Sequence, residues 1–136
     1  MNDILTPPLH GWSRFTFDSQ AHISYIDDMP YFLLEEIINS IEENRPFEIL
    51  FDAEGYSFIL SSGDKKVLTY LLVQDDIKSI VLPFSFKDFA EAVINDIKEN
   101  FEAWKCFPAC FEYDKDEYPD LNELLNRTSL ALSMLD

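Results

Sequence analysis

Glycine is scarce in this chain: Gly11, Gly55 and Gly63 are the only three. A phosphate-cradling loop needs clustered glycines whose backbone N–H groups approach the ligand, so nucleotide binding of that kind is not expected. Histidine is scarcer still. His10 and His22 stand in no motif that pairs a histidine with a nucleophile, which leaves Ser-His-Asp chemistry without a frame. The two cysteines, Cys106 and Cys110 in CFPAC, lack both the C-x-x-C spacing of a redox pair and the second pair of ligands a zinc site requires. They read as free thiols of a reducing compartment, and neither a metal nor a cofactor is expected. Basic residues are few, ten Lys and Arg, with Lys65-Lys66 the only adjacent pair. Affinity for a phosphate backbone depends on such side chains, so nucleic acid is not expected as a direct partner. No apolar run reaches the length of a membrane span. The opening MNDILTPPLHGW has neither the basic region nor the apolar core of a signal peptide, so the expected location is the cytoplasm.

What is abundant is acid and aromatic carbon. Twenty-six Asp and Glu give a net charge of -16 over 136 residues, yet 47% of the chain is hydrophobic, with 12 Phe, 6 Tyr and 2 Trp. Acidic chains poor in apolar residues stay disordered. This one has the material for a core, and residues 1–136 are of the size of a single domain. Self-repulsion of that strength costs stability, so the charge serves either solubility or a basic partner.

Trp12 to Phe17 and Ala21 to Ile26 alternate with period two and read as strands, linked by the short polar Asp18-Ser19-Gln20. Asp28-Met29-Pro30 reads as the start of a helix, with Asp28 as its cap and Pro30 in its first turn. Leu33, Leu34, Ile37, Ile38 and Ile41 then form its apolar stripe. Four strands follow over Phe47–Asp52, Tyr56–Ser61, Val67–Val73 and Ile77–Leu82, with turns short enough for an antiparallel meander. Ser85-Phe86-Lys87-Asp88 resembles a capping box. The helix it opens carries Phe86, Phe89, Val93, Ile97, Phe101 and Trp104, with Trp104 expected in the core. A last helix spans roughly Asp120 to Leu135. The sum is an α+β domain: an antiparallel sheet of about five or six strands with two to three helices on one face.

Two acidic groupings are candidates for function. Asp52 and Glu54 flank a turn, where two carboxylates suit a divalent cation or an acid/base pair, or simply a solvated hairpin. The segment Glu112, Tyr113, Asp114, Asp116, Glu117, Tyr118, Asp120 interleaves tyrosines with carboxylates, a composition suited to a basic protein surface. Equally, it reads as a solvated loop whose charge favours the next helix N-terminus. Asp75 and Asp76, in another strand turn, come next.

The segments GWSRFTF, SYIDDMPYFLLEEIINSI and FEILFDAEGYSFIL, a Trp-containing strand, an IDD-x-P helix start and a strand with an FDAEG turn, resemble the layout of bacterial immunity proteins of contact-dependent inhibition and polymorphic-toxin systems. The resemblance implies a non-catalytic cytoplasmic protein that binds the C-terminal domain of a cognate toxin one to one. It implies that the toxin is a basic nuclease whose active-site surface is blocked. The resemblance itself carries over no contact residue; within that reading the carboxylates and tyrosines named above are the expected contacts from their composition. Two other readings stay open: an acidic adaptor or nucleic-acid mimic for some other basic protein, and a small metal-dependent hydrolase using Asp52 and Glu54.

Overall fold

The computed structural model describes residues 3–24, 27–63, 68–73, 78–107 and 119–135. The first hairpin pairs β1 (Trp12–Arg14) with β2 (His22–Ser24), Ser13 opposite Ile23. β1 is shorter than the alternation from Trp12 to Phe17 suggests, and β2 starts one residue after Ala21, with Tyr25 and Ile26 outside the described residues. The Asp18 carboxylate accepts from the Gln20 N–H (2.8 Å) and its carbonyl from the Ala21 N–H (3.2 Å), and this turn takes residues from the ladder. The N-terminal segment, which shows no periodicity, lies along β1: Thr16 N–H donates to the Ile4 carbonyl (2.9 Å) and Thr6 N–H to the Arg14 carbonyl (2.9 Å). His10 and Gly11, at φ 53° and 81°, reverse the chain between them, and glycine meets that left-handed geometry without a Cβ penalty.

The meander is β3 (Phe47–Asp52), β4 (Ser57–Ser62), β5 (Thr69–Val73) and β6 (Lys78–Val81), antiparallel throughout in the order β3-β4-β5-β6. The six strands thus form a sheet of two and a sheet of four. Alternation along FEILFD becomes strict alternation of burial: Phe47, Ile49 and Phe51 are buried, whereas Glu48, Leu50 and Asp52 are exposed. Register carries the buried rows across the sheet, Ile49 opposite Leu60 and Leu60 opposite Tyr70. The hairpin lays Phe15 on that inner face, 5.4 Å from Phe51 and 5.8 Å from Phe89 between ring centroids, while Phe51 stacks on Phe58 at 5.0 Å. Offset and edge-on pairs of this kind add to plain burial.

The helices cover the inner face: α1 (Tyr31–Glu42) packs on β3 and α4, and α2 (Phe86–Glu99) packs on α4 (Leu121–Ser133) and the short α3 (Phe101–Cys106). Together they make an α+β domain with its core between helices and strands. Three starts and stops follow local chemistry. Ser85 Oγ accepts from the Asp88 N–H (3.1 Å), and Asp120 Oδ1 from the Glu123 N–H (3.2 Å), as N-caps of α2 and α4. The helix expected to run through Trp104 breaks at Asn100, whose ψ of 44° ends α2 and begins α3. Trp104 is fully buried, as expected. The start of α1 differs from expectation: Pro30, not Asp28, is the N-cap, and Asp28 lies before it at φ 55° with its carbonyl accepting from the Phe32 N–H (3.1 Å).

Side chains occupy two N–H groups of the free edge of β3. Glu36 Oε2 accepts from the Glu48 N–H (3.2 Å) and Asp27 Oδ2 from the Asp52 N–H (3.0 Å). Glu36 is fixed by a two-pronged pair with Arg45, at 2.8 and 3.0 Å.

Candidate functional site

The β3–β4 turn builds the site. Ala53 N–H donates to the Tyr56 carbonyl (2.8 Å), leaving Glu54 and Gly55 as the two turn residues, both at positive φ (57° and 134°). Two positive φ values match the twist of a two-residue hairpin, and Gly55 supplies one freely. Glu54 does not, since a side chain disfavours that region. It is held there from both ends: its N–H donates to Asp52 Oδ1 (2.8 Å), and its Oε2 accepts from the buried Ser24 hydroxyl (2.5 Å). The turn is thereby fastened to the end of β2, and the chain leaving β2 brings Asp27 to the same place.

Asp27, Asp52 and Glu54 therefore form one carboxylate cluster at one end of the sheet, with Ser24 at its base. Asp27 is partly buried, and burial is the main cause that pushes its pKa up to about 7; repulsion from Asp52, Asp28 and Glu54 acts in the same direction, and the bond from the Asp52 N–H opposes it. The ion pairs among the described residues are Arg45 with Glu36 and Arg45 with Glu43, so no described lysine or arginine pairs with the cluster.

The cations gather elsewhere. Lys87 and Lys98 line a groove of about 370 Å³ between α2 and α4 with Asn95 and Ser129. Lys98 and Lys105 line a second, open groove with Asp120, Asn122 and Asn126. None of these lysines is ion-paired among the described residues.

Of the residues expected in a partner site, Asp52 and Glu54 come together. Asp120 does not join them; it caps α4 and borders the second groove. Asp75 and Asp76 lie outside the described residues, although Val73, just before them, is in register with Ser57 and hence with Asp52 at the cluster's end of the sheet. Glu112, Tyr113, Asp114, Asp116, Glu117 and Tyr118 also lie outside the described residues. Asp27 and Ser24 are the members that sequence reasoning passed over. Asp27 looks like part of a helix cap until the hairpin is folded against it.

A second carboxylate was missed despite a readable sign. Asp96 lies on the stripe of Phe89 and Val93, seven and three residues on, and is buried. Its Oδ2 accepts from the Ile4 N–H (2.6 Å) and the Leu5 N–H (2.9 Å). Asp3 and Glu99 place oxygens within 4.8 Å of it. Burial chiefly, with Asp3 adding, raises the Asp96 pKa, while the two N–H groups oppose the rise. Its role is to fasten the N-terminal segment to α2.

No family model, curated protein or solved structure matches the chain. No described helix is long and apolar enough to cross a membrane.

Proposed function

We propose that this chain is a toxin-neutralising immunity protein: a cytoplasmic, non-enzymatic inhibitor that binds the basic active-site surface of a cognate toxin domain, a nuclease, one to one. The observation that carries this reading is the cluster Asp27, Asp52 and Glu54, with no cation paired to it among the described residues, in a chain of net charge -16. A fixed set of carboxylates with no internal cation is complementary to a phosphate-binding surface. It also steers encounter, lifting association rates towards about 10⁸–10⁹ M⁻¹s⁻¹ at low salt. The layout of the Trp-containing strand, the IDD-x-P turn and the FDAEG hairpin supports the same reading.

The test is a pull-down of the tagged chain with the C-terminal toxin domain encoded immediately upstream of its gene, at low and high salt, with growth of cells expressing both. A complex that weakens with salt and restores growth is the expected result. Failure to bind at low salt sinks the reading and leaves an acidic adaptor for another basic protein in its place.

One observation favours a second reading. A carboxylic acid that titrates near neutrality beside two other carboxylates is the raw material of acid/base or metal-assisted hydrolysis. Calorimetric titration with Mg²⁺ and Mn²⁺ decides it, since absence of heat at millimolar metal removes its support.

A further inference from the structure

The helices and the first hairpin occupy one face of the four-stranded sheet, and no described helix or hairpin packs on the other. Register places Leu50 of β3 opposite Ile59 of β4, and Ile59 opposite Leu71 of β5. All three side chains point away from the buried rows; Leu50 is 54% exposed, and Ile59 and Leu71 are partly exposed. A lone exposed leucine needs no explanation. Three cross-strand neighbours make a continuous apolar bar about 10 Å long at ordinary strand spacing, and nothing in the fold requires it. The rows that flank the bar are polar on β3 and β4, Glu48 with Ser61 and Asp52 with Ser57, and the first continues through Thr69 to the exposed Val81. On β3 these rows end in Glu48 and Asp52, and the turn beyond Asp52 carries Glu54. Among the described side chains of this face none is basic.

We propose that this outer face is where the basic partner docks, with Leu50, Ile59 and Leu71 as the apolar centre and Glu48, Asp52 and Glu54 as an acidic rim. The proposal rests on the functional reading above and names the surface that serves it. An apolar centre inside a charged border is the usual anatomy of a specific interface. The sign of the border selects the occupant. A second copy of this chain would set -16 against -16 and carboxylates against carboxylates, whereas a basic domain neutralises the rim as it covers the bar.

The experiment measures Kd of the full-length chain for the upstream toxin domain by calorimetry. Leu50→Arg places a cation in the bar at a position where the side chain is half exposed, so folding should survive. Leu130→Arg makes the same charge change at an exposed site on α4 (62% exposed) and controls for long-range electrostatics. Leu50→Arg is expected to raise Kd at least about 30-fold, as for an interface hot spot, while Leu130→Arg changes it less than about threefold. Should Leu50→Arg fail to fold by circular dichroism, Leu71→Ser carries the same expectation. Equal effects of Leu50→Arg and Leu130→Arg, with the wild type binding tightly, overturn the docking face and leave the functional reading intact. No binding by the wild type overturns both. A wild-type dimer in sedimentation that Leu50→Arg dissolves puts a second copy on this face and overturns the proposal as well.

Discussion

The two faces of the four-stranded sheet come from the same strands and obey opposite rules. Inward, Phe47, Phe51, Phe58 and Tyr70 are fully buried under Phe15 and the helices. Outward, Leu50, Ile59 and Leu71 line up with no described helix over them. The inner set uses large rigid rings whose shapes lock together, the outer set mid-sized aliphatics bordered by acid. A residue's role in this protein thus turns on its parity in the strand more than on its hydrophobicity.

That contrast is most sharply broken by paired truncations. Phe58→Ala should cost about 3–5 kcal/mol by urea denaturation. Leu50→Ala, on the neighbouring strand but the other face, should cost under about 0.5 kcal/mol. Comparable losses at the two positions would mean the outer row belongs to the core. The covered side also depends on a buried carboxylate. Asp96→Ala strands the Ile4 and Leu5 N–H groups and should cost about 2–4 kcal/mol in the same assay. Asp96→Asn keeps an acceptor and sheds the buried charge, so its loss should be smaller. Ser85→Ala removes the N-cap of α2 and should cost about 1 kcal/mol.

A pH-dependent effect is expected at the border of the two faces. Asp27 titrates at about 7 when folded, against 3.8 ordinarily. Between those values the folded state keeps a proton that the unfolded chain has lost, so this site's contribution to stability falls as pH rises through the window and is flat above it. Asp27→Asn retains the acceptor for the Asp52 N–H without the charge. Its melting temperature should exceed wild type by about 2–4 °C at pH 8, by less at pH 5, and converge with it only below about pH 4. A difference that grows on acidification would contradict the assignment.

Much of the fold was legible because the chain's local signals agree with its final packing. FEILFD announces both strand and face, and Ser85 announces the start of α2. The break at Asn100 was not, because Phe101 and Trp104 continue the apolar spacing across it. The division of strands into two and four was hidden as well, since partner choice is a tertiary matter. For the site, Asp52 and Glu54 could be read from the turn they bracket. Asp27 could not: its burial and its neighbours exist only once the β3–β4 hairpin has closed on the end of β2. Asp96 lay in plain view as a carboxylate on an apolar helical stripe, a pattern that signals a buried acceptor.

The two carboxylates that accept from the N–H groups of Glu48 and Asp52 have a consequence for assembly. Endless growth of a sheet from copy to copy requires two open margins on every unit. Here one margin is already occupied by Glu36 and Asp27, and a strand arriving there would have to displace both. Among the described strands of the four-stranded sheet, β6 carries the other margin. Growth of that sheet through β3 is therefore disfavoured, and two units that met at β6 would turn their guarded β3 sides outward.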